Sequence, residues 1–188
     1  MERYEYQKKI ETLTCVVREL MPKIPYHNFE HAISVCSAAS TLALLSGINH
    51  EDIFLLKTAA LLHDIRNNEE RSAEFARQYL PKIGYSYNQA EKAGKLILAT
   101  KMPQNPNGFL EQALCDADLD NLGRPNLFEL GEKLRLELEL PHNKKWYKQQ
   151  IQFLRNHKYH TEIAKKLRDS GKAKNIQRLE NMMQELKC

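Results

Sequence analysis

Three short stretches of the 188-residue sequence gather side chains capable of metal or hydrolytic chemistry: YHNFEH at Tyr26–His31, HD at His63–Asp64 and DADLD at Asp116–Asp120. Imidazole nitrogens and carboxylate oxygens are donor types that suit Zn, Mn, Fe or Ni. An ionised carboxylate inside an apolar region is costly unless it is paired or metal-bound. The direction in which these side chains face therefore decides what they can do.

Periodicity supplies that direction. His27 and His31 are four apart, a spacing that shares one helical face. The face continues through Val35, Ala38, Leu42 and Leu45, so His31 holds a position where a core residue is expected. In the next segment Ile53, Leu56, Ala60 and His63 follow the same spacing, and Asp64 lies about 100° further round. On a helix from Phe109, the apolar direction set by Leu110, Ala113, Leu114, Ala117 and Leu122 passes nearest Asp118, furthest from Asp116, with Asp120 between. Each feature alone is ambiguous, because a single inward histidine is more often a hydrogen-bonded core residue. A DAD at a helix end is commonly a solvated cap. Their order points to one shared site: His, then HD about 30 residues on, then Asp about 50 beyond.

The elements that must position these residues are all helical, since no run of alternating β-branched residues suggests a strand. A first helix is expected from about Arg3 to Leu20, ended by Pro22 and Pro25. A second runs from a cap at Asn28 to Gly47, and a third opens at Asn49 and carries HD at its end. Further helices are expected at Glu70–Leu80, Tyr87–Thr100, Phe109–Asn121, Leu127–Leu140 and Lys144–His157, with two short ones at Glu162–Asp169 and Lys172–Leu186. The PQNPNG stretch at 103–108 reads as a loop. The expectation is one all-α domain, its core at about 22–140 and additional C-terminal helices at about 141–188.

At these residues the chain resembles the HD superfamily of metal-dependent phosphohydrolases, whose signature is H…HD…D on an α-helical fold. YHNFEHAISV is similar to the YHN-x-x-H segment of cyclic-nucleotide phosphodiesterases, and ADLDN at Ala117–Asn121 to the segment holding their last metal-binding aspartate. ATKMPQNP, CDADLDNLGR and the Trp146…QIQFLRNHKYHT run extend the resemblance to small bacterial HD proteins. The resemblance implies that His31, His63, Asp64 and Asp118 hold a divalent ion (Mn, Fe, Zn, Ni, Co or Mg). It also implies that His27 is a general acid and that Asp64 has a catalytic as well as a ligating role. Arg66, Lys101 and Arg124 adjoin the motifs and are candidate phosphate-binding cations, with an ordinary surface charge as the competing interpretation.

The chain departs from the family where many members carry a further histidine after HD. Phosphodiesterases have it three residues past the aspartate, where this chain has Asn67. The related bacterial proteins have a longer loop and H-E-x-x-S, where this chain has NEERS with Asn68 in the histidine's place. One ion rather than two is expected, and with it a nucleotide or other phosphomonoester ahead of a cyclic nucleotide. The alternative is a catalytically degenerate domain that binds a nucleotide without turning it over.

Composition restricts the remaining classes. With 42% hydrophobic residues the chain can bury a core without disulfides. No run approaches the roughly 20 apolar residues of a membrane helix, and the charged N-terminus lacks a secretory h-region. The four cysteines, Cys15, Cys36, Cys115 and Cys188, form no C-x-x-C pair and are expected to be buried and reduced in a cytoplasmic protein. From Pro141 to Cys188 twelve Lys and Arg face four Asp and Glu. That basic segment could attract an anionic substrate or nucleic acid, but a solvated helical face ranks first. The partner expected is a small phosphorylated molecule, with no membrane and with nucleic acid last; a homo-oligomer is compatible with the sequence.

Overall fold

The computed structural model describes residues 2–186, and among them every regular element is helical. The residues group into two compact units, one holding the chain up to Lys23 together with His27–Asp118, the other Ile24–Tyr26 with the chain from Leu119. No helix among the described residues is long and apolar enough to cross a membrane.

The first unit contains α1 (Glu2–Leu20), α2 (Phe29–Leu45), α3 (His50–Leu62), α4 (Glu69–Tyr79), α5 (Tyr87–Ala99) and α6 (Phe109–Asp118), with a 3₁₀ turn at Leu80–Ile83. Its centre is α3, which packs against α1, α2, α5 and α6. Phe54, Leu55, Leu56, Ala59, Ala60, Leu61 and Leu62 of α3 are all buried. Each large aliphatic side chain taken from water there contributes about 1.5–3 kcal/mol before entropy is counted. Thr58, a buried polar residue in this run, donates its hydroxyl to the Phe54 carbonyl at 2.9 Å and lies 3.0 Å from the Tyr85 hydroxyl. Side-chain caps fix the helix starts: Asn28 accepts from the His31 N–H, Asn49 from Asp52, and Ser86 with Gln89 forms a reciprocal capping box on α5.

The second unit contains a 3₁₀ turn at Asp120–Gly123, then α7 (Leu127–Glu137), α8 (Lys144–Asn156) and α9 (Glu162–Glu185). Its core joins Leu122 and Leu127 to Trp146, Tyr147, Ile151 and Leu154 of α8 and Leu179 of α9. Asp120 is buried between Arg168 (Nε to Oδ1, 2.6 Å) and Arg124. Asn175 donates to the carbonyls of Leu122 and Arg124 at 2.9 and 2.8 Å, which ties α9 to the turn.

Several expectations are corrected. The two short C-terminal helices are one 24-residue helix, α9, that runs through Gly171. A Cβ on Gly171 would stand 2.1 Å from the Gly123 carbonyl oxygen, so this glycine permits a close backbone approach rather than a break. The helix from Phe109 stops at Asp118 instead of Asn121, because the chain tightens into the 3₁₀ turn. Asp116, placed outward by periodicity, is fully buried, and Leu45, placed inward, is exposed. Of the cysteines, Cys36 and Cys115 are buried, Cys15 is exposed and Cys188 lies outside the described residues. The basic C-terminal charge is partly neutralised locally, by Arg155–Glu180, Lys165–Glu162, Arg168–Asp120 and Lys172–Asp169 pairs.

Candidate metal centre

The first unit brings His31, His63, Asp64 and Asp118 together, with one donor atom from each inside a 4.8 Å span. His31 comes from the first turn of α2, and His63 is the residue that closes α3. Asp118 is the last residue of α6. Asp64 opens the turn that follows α3. That turn is tightly held: the Asn67 N–H donates to the Asp64 carbonyl at 3.0 Å, and the Arg66 N–H to Ser72 Oγ at 3.1 Å.

The spacings identify what the cluster fits. His63 Nε2 lies 3.0 Å from Asp64 Oδ2 and 3.3 Å from Asp118 Oδ1; His31 Nε2 lies 3.4 and 3.3 Å from the same atoms. The two Nε2 atoms are 3.2 Å apart. An ion held at 2.0–2.1 Å by tetrahedrally disposed ligands sets those ligands about 3.3 Å from one another. His63 Nδ1 donates to the Ala60 carbonyl at 2.9 Å, which fixes the tautomer and leaves the Nε2 lone pair facing the cluster. Two neutral imidazoles with two carboxylates also carry the charge that balances a divalent cation. The residues present therefore fit such an ion.

Electrostatics agree with that chemistry. Burial alone would depress both imidazoles, but the Asp118 and Asp64 carboxylates more than reverse it, raising His31 and raising His63 well above its ordinary value. Burial would likewise raise Asp64 and Asp118, yet the two histidines hold both carboxyls well below the usual range. Protons on the imidazoles thus occupy the role that a cation would take over. Neighbouring Cys115 does not join the set: burial first, then Asp118, Asp116 and Glu111, push its thiol up to about 12, and it donates to the Ala99 carbonyl. His63 is 1% exposed while Asp64 and Asp118 retain 15% and 18%, so the cluster opens to solvent on its carboxylate side.

His27 stands beside this group, its ring edge-on to His31 with centroids 5.7 Å apart. It precedes the Asn28 cap, so the nearness arises before the helix starts and not from a shared helical face. Arg66 lays its guanidinium over the Phe75 ring at 4.7 Å, and Lys101 pairs with Glu70 on the surface. Arg124, in the second unit, pairs with Asp120. The cluster geometry thus assembles the four proposed ligands with His27, while each of the three cations is engaged in a contact of its own. The Ala60 carbonyl and the burial of Asp116 are not legible in the sequence; no side-chain pattern announces a carbonyl partner.

The asparagines after HD have backbone roles. Asn67 adopts φ +49°, a conformation asparagine tolerates better than most side chains, and Asn68 caps α4 by accepting from the Arg71 N–H at 3.0 Å. Glu69 and Glu70 occupy the first turn of α4, where acids suit the helix dipole.

No protein-family model and no curated protein matches the sequence. Solved structures do match in fold. YpgQ of Bacillus subtilis in complex with ADP superposes with a TM-score of 0.75 at 15% identity, over 97% of each chain. A predicted HD superfamily hydrolase from an uncultured Thermotogales bacterium gives 0.65 at 21% identity, over 93% of this chain and 91% of the other. The Lin1889 protein of Listeria innocua gives 0.68 at 15%, over 97% and 99%. The chain shares its all-α fold with these structures, among them one described as a predicted HD superfamily hydrolase.

Proposed function

We propose that this protein is a metal-dependent phosphohydrolase that cleaves a phosphate ester of a nucleotide or related small molecule, with one divalent ion on His31, His63, Asp64 and Asp118. The observation that carries this is the 3.0–3.4 Å spacing among the four donor atoms. A divalent ion bound there supplies Lewis acidity toward the phosphate and makes water nucleophilic near neutral pH. Water adds to phosphorus as the bond to the leaving oxygen breaks. His27 donates its proton to that oxygen, and the water's proton leaves to solvent. Asp64, partly exposed, orients the incoming water. Arg66 and Lys101 are the first-unit cations that would exchange their Phe75 and Glu70 contacts for phosphate oxygens.

The ADP bound to YpgQ supports a nucleotide as substrate. The backbone roles of Asn67 and Asn68 support one ion, and with it a phosphomonoester ahead of a phosphodiester. The same asparagines favour a second reading, a domain that binds a nucleotide without hydrolysing it. A metal-supplemented screen against nucleotides separates the two, with His63→Ala as control. Product from the wild type and none from the variant supports the hydrolase; saturable nucleotide binding by calorimetry with no product under any ion supports the binding module.

A further inference from the structure

Within the first unit, one helix touches both Arg66 and Lys101. In the first turn of α4, Glu70 pairs with Lys101. Further along α4, the Phe75 ring lies under the Arg66 guanidinium, with 4.7 Å from the guanidinium carbon to the ring centroid. Phe75 is in turn stacked on Tyr79 at 5.2 Å between centroids, so the ring that carries Arg66 is backed by another. Between Glu70 and Phe75, Ser72 is fully buried, and its Oγ accepts the Arg66 N–H at 3.1 Å. The main chain of Arg66 is thus pinned to α4 while its side chain stays exposed. Both cations adjoin the four-residue cluster. Arg66 is the second residue after Asp64. Lys101 follows Ala99, whose carbonyl accepts from Cys115 Sγ, one turn before Asp118 on α6.

Resting on the proposed role of Arg66 and Lys101 toward phosphate, we infer that Glu70 and Phe75 compete with the substrate's phosphate for these two cations, and so set how tightly a phosphomonoester is held. A carboxylate and the face of an aromatic ring attract a cation by the same sign of charge that a phosphate presents. Whatever each contact contributes to the resting protein is subtracted from phosphate affinity. Exposed ion pairs and exposed cation–π contacts are both weak, so each restrains binding by about 2- to 5-fold. Because Ser72 pins the Arg66 main chain, the exchange at that residue is a movement of the side chain alone. Neither Glu70 nor Phe75 touches the substrate, and removing either one strengthens binding.

The test titrates inorganic phosphate into the zinc-loaded full chain and reads binding by phosphorus NMR. Glu70→Gln and Phe75→Leu should each tighten phosphate about 2- to 5-fold, with metal content unchanged. Lys101→Met and Arg66→Met should each weaken it. The gain must vanish once the cation is gone. Glu70→Gln combined with Lys101→Met, and Phe75→Leu combined with Arg66→Met, should bind phosphate as the cation variants alone do. A general change of field from the lost carboxylate would instead persist without Lys101. Each of the two competitors is judged by its own cycle: affinity that is unchanged or weaker, or a gain that survives removal of its cation, overturns it. If Lys101→Met and Arg66→Met leave phosphate binding intact while the wild type hydrolyses a phosphomonoester, this inference falls and the hydrolase reading stands. A wild type that neither binds phosphate nor hydrolyses an ester ends both.

Discussion

The Nε2 atoms of His31 and His63 face one another at 3.2 Å, with the Asp64 and Asp118 carboxylates completing the group. Two lone pairs cannot stably share that gap unless a proton or a cation lies between them. The carboxylates favour a proton there in the metal-free protein: burial opposes the imidazole charge, and Asp118 and Asp64 override it. A raised folded-state value stabilises the fold fully below the unfolded value of about 6.5 and ceases to do so as pH rises through the raised value. Metal-free protein should therefore lose melting temperature as pH rises above about 6.5. The increment from added divalent ion should grow over the same range, since the ion competes with those protons. Thermal melts with and without metal across that range check both trends; an ion-induced increment larger at acid pH contradicts the assignment.

The turn after Asp64 should be separable from metal binding. Asn68→Ala removes the side-chain cap on α4 and should cost about 1 kcal/mol in urea unfolding. Asn67→Ala places a less tolerant residue at φ +49° and should cost about 1–2 kcal/mol. Both variants should keep the wild-type metal stoichiometry. A fall in stoichiometry on changing either asparagine would make it a ligand.

Two glycines in the second unit should respond in opposite directions. Gly171→Ala drives a methyl into the Gly123 carbonyl, and the overpacking cost of about 1–3 kcal/mol should exceed the helix-propensity gain. Gly131, inside α7, has nothing within 4 Å of a built Cβ. Gly131→Ala should stabilise by about 0.5–1 kcal/mol. Chemical denaturation of the two variants is sufficient; a neutral Gly171→Ala would mean that α9 does not approach the turn this closely.

These residues also show why some features were legible and others not. His31 could be placed because α2 is amphipathic: Val35, Ala38 and Leu42 are buried, and Ile33 and Leu44 are exposed. The stripe through Ile53, Leu56 and Ala60 points His63 inward, where it lies, although α3 is buried on nearly every side and the stripe does not single it out. Its direction followed from the whole helix being apolar. Asp118 was selected by a periodicity that also pushed Asp116 outward, and there it failed, because α6 is covered by α2, α3 and α5 together. Asn67 and Asn68 carried a turn-and-cap signal, Asn-Asn before Glu-Glu, that local chemistry explains fully. The break expected between Asp169 and Lys172 is absent because a glycine that ends a helix and one that lets two backbones meet look alike in sequence.

The proposed function requires that these four side chains together hold one divalent ion. Elemental analysis after reconstitution with Mn2+ or Zn2+, on wild type, His63→Ala and Asp118→Asn, tests it most directly. About one tightly held ion per chain is expected in the wild type and none in either variant. Wild-type protein that remains folded and takes up no ion, or variants that retain it, would contradict a metal site on these residues.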